Sequence, residues 1–158
     1  MSAALMFMLA TIAPGVDAAT LYAQSSSDIA FSVSVPDMAG GGLEVTADAT
    51  RGMLAYSTDD EVLGTWSIFV ALGVAGDELP PGLELWVEAD MAAVPANCGA
   101  TLGPALVGSS PSPFISGISA GCADVEVPLE YSVEISDIGR LVAGEPRAIV
   151  VVFVISQD

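Results

Sequence analysis

The segment 124–137 alternates apolar and polar residues without interruption. Successive side chains of a β-strand point to opposite faces of a sheet, so this rhythm predicts a strand with one dry face and one acidic face. Such a strand must pack its dry face on another layer of the protein. The dry face holds Val125, Val127, Leu129, Tyr131, Val133 and Ile135, and the wet face holds Asp124, Glu126, Glu130, Ser132, Glu134 and Ser136.

Much of the remaining chain shows the same two-residue rhythm in short segments, which glycine and proline turns separate. Strand patterns do not alternate with helix patterns, and no long helix is indicated beyond the N-terminus. We therefore predict an all-β protein, an antiparallel sandwich of about seven to nine strands. The further predicted strands are 28–35, 43–49, 53–57, 64–75, 83–91 and 148–155.

Three parts of the pattern carry more specific expectations. Segments 64–75 and 83–91 are adjacent and in phase, so we pair them as an antiparallel hairpin. Segment 92–123 is rich in proline, glycine and serine and is predicted to be a long loop. Residues 149–155 are apolar on both faces, so we expect this strand inside a sheet or in an interface, because it would promote aggregation if exposed.

The N-terminus predicts export from the cytoplasm. An apolar run from Met1 is followed by small residues and the small-x-small site Val16-Asp17-Ala18. This pattern is typical of a signal peptide over residues 1–18, which would leave 19–158 as a single β-sandwich domain; cleavage after Ala19 fits almost as well. No Lys or Arg precedes the apolar run, which departs from the usual pattern, and a short buried N-terminal element is the alternative. The run is too short to span a bilayer, so no membrane span is expected in the mature chain.

Cys98 and Cys122 are the two cysteines of the chain. Two cysteines in an exported protein most often form a disulfide, and this pair encloses a proline- and glycine-rich segment that the bond would restrain. Structural zinc prefers four Cys or His ligands, and a catalytic cysteine usually has a histidine partner. Because the chain has no histidine, both alternatives are weaker than the disulfide.

The net charge and the missing residue types exclude several classes of function. The chain has 20 Asp and Glu against three Lys and Arg, for a formal net charge of −17. Nucleic acid binding depends on Lys and Arg, so we expect no nucleic acid partner. The absence of His removes the commonest general base, and the absence of Lys removes Schiff-base chemistry and lysine-dependent phosphate loops. We therefore predict that the protein is not an enzyme and needs no cofactor.

Two small groups of residues are candidates for ligand contact. Asp59, Asp60 and Glu61 form the densest acidic group, a weak calcium candidate because contiguous carboxylates diverge; a solvated turn is the default interpretation. Trp86 is out of phase with its apolar neighbours, which places it on an acidic strand face. There it would contact a sugar or another subunit, or lie beneath the 92–121 segment. Trp66 is in phase with its apolar neighbours and is predicted to lie in the core.

The closing third of the chain resembles exported immunoglobulin-like β-sandwich proteins, including surface proteins and pilin-like fibre subunits. The residues that carry the resemblance are 113–118, Gly121-Cys122, 129–133, Ala143-Gly144 and 150–155. Where that family has a small residue and an aromatic before its last strand, this chain has Glu-Pro-Arg at 145–147. The resemblance implies an immunoglobulin-like sandwich outside the cell and carries over no site residue.

These observations together predict a secreted, non-catalytic structural protein. We expect a cell-surface, coat or filament subunit that self-associates into a homopolymer or surface layer through β-strand contacts. The alternative is a secreted module that binds a glycan or a protein through Trp86 or the 92–121 segment.

Overall fold

A computed structural model describes residues 2–5, 19–24, 29–34, 44–47, 51–73, 78–141 and 149–158. Within these ranges the protein is built from antiparallel strands, with one short 3-10 helix at Ile138–Arg140. The strands are β1 (Ser2–Leu5), β2 (Ala19–Gln24), β3 (Ile29–Ser34), β4 (Glu44–Ala47), β5 (Arg51–Thr58), β6 (Thr65–Leu72), β7 (Leu83–Ala89), β8 (Cys98–Thr101), β9 (Ala105–Leu106), β10 (Ser112–Ser119), β11 (Val125–Ile135) and β12 (Val151–Gln157).

Two of the sheets form a sandwich, which confirms the predicted all-β antiparallel class. The five-stranded sheet has the order β2-β5-β11-β7-β9, and the four-stranded sheet has the order β12-β6-β10-β8. A separate three-stranded sheet has the order β1-β3-β4. The nine strands of the two sandwich sheets fall within the predicted number.

Strand β11 follows the predicted rhythm closely. Val125, Val127, Leu129 and Tyr131 are buried, whereas the glutamates between them are exposed. The inner faces of both sandwich sheets meet in one apolar core, in which the ring centroids of Phe114 and Phe153 lie 5.7 Å apart. Trp66 is only 3% exposed, which confirms its predicted place in the core.

Pro128 lies in the middle of β11, where a residue without an N–H group would normally interrupt a sheet. Its carbonyl oxygen accepts a hydrogen bond from the N–H of Asp90 at 2.9 Å. The N–H and C=O groups of one strand residue point to the same side, so the missing N–H faces the point where β7 has already ended. The lack of an N–H group in Pro128 therefore weakens the hydrogen bonding between β11 and β7 only slightly.

The predicted hairpin between 64–75 and 83–91 is wrong. Strand β6 belongs to the four-stranded sheet and pairs with β10 and β12, whereas β7 belongs to the five-stranded sheet and pairs with β11 and β9. Both strands present one apolar face to the same core. Their shared phase therefore identifies a core face but does not say which sheet each strand joins.

The predicted loop at 92–123 is also wrong, because this segment contains β8, β9 and β10. The pairing of β10 with β6 shifts register twice, between Pro113 and Ile115 and between Ile115 and Ile118. As a result the neighbours Phe114 and Ile115 are both buried. Such bulges destroy a strict two-residue rhythm, and β8 and β9 are too short to show one.

The final apolar segment forms β12, which lies at the edge of the four-stranded sheet rather than in its interior. Its burial alternates: Val151, Phe153 and Ile155 face the core, and Val152 and Val154 are half-buried on the outer face. The expected place inside a sheet is therefore wrong for the part of the chain that the structure describes, and the interface alternative stays a prediction.

Strand β1 lies within the predicted signal peptide and pairs with β3. Residues 6–18, which contain the predicted cleavage site, lie outside the described residues. Removal of residues 1–18 therefore stays a prediction.

The cysteines form the predicted disulfide, with the Cα atoms of Cys98 and Cys122 5.6 Å apart. The bond is one part of a link between the two sandwich sheets. The hydroxyl of Tyr56 on β5 donates to the carbonyl of Cys98, which begins β8. The hydroxyl of Thr58 on β5 donates to the carbonyl of Ser119 on β10 at 2.7 Å and accepts from the N–H of Cys122 at 3.0 Å. We refer to these groups as the cross-sheet link.

Replacing both cysteines, as Cys98→Ala with Cys122→Ala, should lower the free energy of unfolding by about 3 kcal/mol, because the sequence separation of 24 defines a substantial loop in the denatured chain. Denaturant titration measures the change, and thiol labelling of the unreduced wild type should find no free thiol. Two labelled thiols per chain, or an unchanged free energy of unfolding, would contradict the role given to the bond.

The free energy of unfolding should also fall in alkaline solution. Burial raises the pKa of Tyr56 to about 12 and raises the pKa of Tyr131 as well. The phenols of the unfolded chain lose their protons near pH 10, so stability is intact below that pH and is lost as the pH rises toward 12. The expected slope is about 1.4 kcal/mol per pH unit for each tyrosine.

Denaturant titration from pH 8 to pH 11 measures this slope, and Tyr56→Phe should reduce it by one tyrosine's share. The same variant should lose about 1 kcal/mol at neutral pH, since it lacks the hydrogen bond to the Cys98 carbonyl. Equal slopes in the wild type and in Tyr56→Phe would show that this phenol does not titrate as inferred.

Candidate functional site

The two sandwich sheets differ sharply in charge. Strands β6, β8, β10 and β12 contain no Asp, Glu, Lys or Arg at any position. The charged residues of the sandwich strands all lie in the five-stranded sheet, where their alternation with core residues directs them outward. We define the acidic face of that sheet by Glu84, Glu88, Glu126, Glu130 and Glu134.

Four of these glutamates face one another in pairs. On β7 and β11, Glu88 lies directly opposite Glu130, and Glu84 lies directly opposite Glu134. Both are hydrogen-bonded pairs, since the same register gives the bonds from the Asp90 N–H to the Pro128 carbonyl and from the Ser136 N–H to the Gly82 carbonyl. The Cβ atoms of such pairs are about 5.5 Å apart, and like charges directly opposite each other are destabilising.

Trp86 lies between the two glutamate pairs, in a cross-strand row with Ser132 and Leu106. Its ring is half-buried, and its Nε1 atom is buried with no hydrogen-bond partner among the residues that the structure describes. The structure thus places Trp86 on the acidic face, with β9 of the 92–121 segment beside it. An open groove of about 620 Å³ runs over this row. Residues lining the groove include Trp86, Glu88, Pro104, Glu130, Ser132 and Glu134.

The outer face of the four-stranded sheet is apolar where β6 and β12 pair. Phe69 lies opposite Val154 on one side and opposite Pro113 on the other, and Ala71 lies opposite Val152. All but Pro113 are half-buried. We refer to these five residues, Phe69, Ala71, Pro113, Val152 and Val154, as the uncharged face.

On one side of strand β12 no described strand is hydrogen-bonded, and we call that side the open edge; β2, the edge strand of the other sandwich sheet, lies close to β12. The carbonyl of Val150 accepts from Gly73 at 2.8 Å, and the N–H of Asp158 donates to Thr65 at 2.9 Å, so even-numbered residues direct their backbone groups to β6. Odd-numbered residues therefore direct theirs outward, and among the described residues no strand pairs with them. These outward residues are Val151, Phe153, Ile155 and Gln157.

The acidic turn at Asp59, Asp60 and Glu61 is exposed. One carboxylate oxygen of Asp59 accepts the N–H of Glu61 at 2.8 Å, which shapes the turn. Within the described ranges no group of three His, Cys, Asp or Glu residues is arranged to hold a metal ion. Calcium binding at this turn stays a prediction.

No family model, no curated protein and no solved structure matches this chain. The resemblance to exported immunoglobulin-like proteins therefore stays a prediction. Among the residues that the structure describes, none forms a helix with the length and apolar character that crossing a membrane requires. The paired cysteines are compatible with an oxidising compartment.

The most informative features of these surfaces depend on strand register. From the sequence, Trp86 is placed on an acidic face, but nothing in the pattern shows that Glu88 meets Glu130 or that Glu84 meets Glu134. Likewise, the apolar composition of 149–155 suggests a contact surface without showing that one side of β12 is open. One signal is present in the sequence: no charged residue occurs in the 33 residues from Met91 to Ala123.

Proposed function

We propose that the protein is an exported, non-catalytic structural subunit of a cell-surface, coat or filament assembly, and that copies join through the open edge of β12. The observation that carries this proposal is an edge strand of seven residues with no charge and no proline. Natural proteins usually protect edge strands with charges, prolines or bulges, because unpaired backbone groups accept another strand. The described strand has no charge, no proline and no bulge, although β2 of the other sandwich sheet lies close to it.

Strand addition suits the chemistry of the chain. Each strand that pairs along the open edge supplies main-chain hydrogen bonds to the outward groups of β12, and such bonds do not depend on charged side chains. A chain of net charge −17 repels its own copies most strongly where its carboxylates lie. The open edge belongs to the sheet whose strands carry no charge. Two copies that approach each other along this edge therefore repel each other least.

Prolines at two outward positions test the proposal. Val151→Pro with Gln157→Pro removes two outward N–H donors and leaves the bonds between β12 and β6 in place. We expect the concentration needed for assembly to rise at least tenfold, since each lost hydrogen bond contributes about 1 kcal/mol. Size-exclusion chromatography and negative-stain microscopy of the purified, oxidised protein measure the assembly.

The matched control is Val151→Ala with Gln157→Ala. Like the proline variant, it removes the side-chain contacts of both residues, including the hydrogen bond from the Gln157 side-chain amide to the Leu63 carbonyl. Unlike the proline variant, it retains both backbone N–H donors. The control should assemble like the wild type. A wild type that stays monomeric at every concentration, or a proline variant that associates as well as the alanine control, would refute assembly through β12.

A second candidate function rests on Trp86. A half-buried ring in an open groove is a suitable contact for a sugar ring that stacks on the indole. On this view the protein is a secreted module that binds a glycan, or a protein through the same surface.

Binding to a glycan array separates this candidate from the structural one. If Trp86 is the contact, Trp86→Ala should lower affinity for any retained glycan at least tenfold. Trp86→Phe, the matched control, keeps a ring for stacking but removes the N–H and should lose less. An array without a retained glycan, or an affinity unchanged in Trp86→Ala, would exclude Trp86 as a sugar site.

A further inference from the structure

We infer that residues 99–111 form a strap that the disulfide holds closed, so that reduction of the bond by a dithiol opens the strap and uncovers Trp86 and the edge of β7. The strap begins within β8, contains β9 and ends before β10. The inference goes beyond the proposed function, because it requires no contact through β12.

The strap is hydrogen-bonded to both sandwich sheets. Strand β8 pairs with β10 in the four-stranded sheet, and β9 pairs with β7 in the five-stranded sheet. Two neighbouring residues then bond to different sheets. The N–H of Val107 donates to the carbonyl of Leu85 on β7 at 2.9 Å, and the carbonyl of Gly108 accepts from the N–H of Leu72 on β6 at 2.8 Å.

Little apolar burial holds the strap in place. Its buried apolar side chains are the small ones of Ala105 and Val107, whereas its larger side chains, Leu102 and Leu106, are exposed. Strand β10, by contrast, supplies three of the largest fully buried side chains of the core. Segments with few buried apolar contacts open locally at a lower free energy than the core does. The strap can therefore open while β10 stays in its sheet.

The disulfide compensates for this weak burial. It fixes Cys98, at the start of β8, to Cys122, which lies beyond the end of β10. A crosslink at this position removes conformational freedom that the open strap would otherwise gain. Reduction restores that freedom and so shifts the equilibrium toward the open form.

The bond borders a groove through which a reductant can approach. Cys98 and Cys122 are only 5% and 1% exposed, but both line an open groove of about 490 Å³. One thiolate of the dithiol attacks one cysteine sulfur and expels the other; the second thiol of the dithiol then closes a cyclic disulfide and expels the first cysteine. Two electrons pass to the protein, and the two protons of the dithiol end on the cysteine thiols.

Opening changes the surface beside the acidic face. Leu106 of the strap lies directly opposite Trp86, and Pro104 lines the groove that runs over this row. When β9 leaves, the Leu85 carbonyl loses its donor and Val87 loses its strand partner, so β7 becomes the edge of its sheet. The redox state of the disulfide therefore sets the accessibility of Trp86 and of this strand edge.

Site-resolved hydrogen exchange of the full chain, oxidised and then reduced with dithiothreitol, tests the inference. The reporters are the N–H groups of Val107 and Leu72, whose bonds belong to the strap. The references are the N–H groups of Gly73 and Asp90, which bond to carbonyls outside the strap. On reduction the ratio of reporter to reference exchange rates should rise by about tenfold or more, because the strap opens while the sandwich stays folded.

Fluorescence supplies a second readout. In a Trp66→Phe background, which keeps a large ring in the core, the emission comes from Trp86 alone. Reduction should shift this emission to longer wavelength and increase its quenching by acrylamide, with the far-ultraviolet circular dichroism retained. The matched control adds Cys98→Ala with Cys122→Ala, which should show the open-strap signals without reductant and should not respond to dithiothreitol.

The outcomes are separate from those for assembly through β12, which is tested on the oxidised protein. An equal acceleration of reporter and reference amides would show global unfolding and overturn the strap. A reduced protein with two labelled thiols but an unchanged ratio would show that the strap stays closed without the bond. A disulfide that resists dithiothreitol until the sandwich unfolds would overturn the redox control.

Discussion

The cross-sheet link holds the sandwich together at the end where its shortest strands lie. Strand β8 has only four residues and β9 only two, so neither can be fixed by its own ladder alone. The disulfide joins Cys98 at the start of β8 to Cys122, whose backbone is bonded to Thr58 of the five-stranded sheet. Tyr56 adds a hydrogen bond from the same strand to Cys98 itself. One covalent bond and a few short hydrogen bonds thus connect both layers of the fold.

Segregation of charge is the second organising feature. A sandwich needs one apolar face on each sheet, and the outer faces are free to differ. Here one outer face carries directly opposed glutamates, and the other, with its whole sheet, carries no charge. Opposed carboxylates reduce the stability of the fold, and water screens their repulsion where the face is exposed. The uncharged sheet has no such electrostatic barrier to contact.

The sequence predicts those parts of the fold that depend on local alternation and on residue type. The rhythm around Val127 and Tyr131 identifies β11 and its core face, and two cysteines in a chain without histidine identify the disulfide. It does not predict which strands are neighbours. Strand β6 and strand β7 have the same phase but lie in different sheets, and the bulges around Ile115 hide β10 within a glycine- and proline-rich segment. The glutamate pairs and the open edge cannot be predicted from the sequence for the same reason, since both depend on which strands are neighbours and in what register they pair.

The irregularity of β10 gives the four-stranded sheet a polarity. Its two register shifts add twist between β6 and β8, and β8 then offers an incoming chain only a short and distorted template. On the opposite side β12 offers seven residues in unbroken register. Among the described residues, the four-stranded sheet thus has one short, irregular side and one long, regular side. Its two edges differ in the backbone itself, before any side chain is considered.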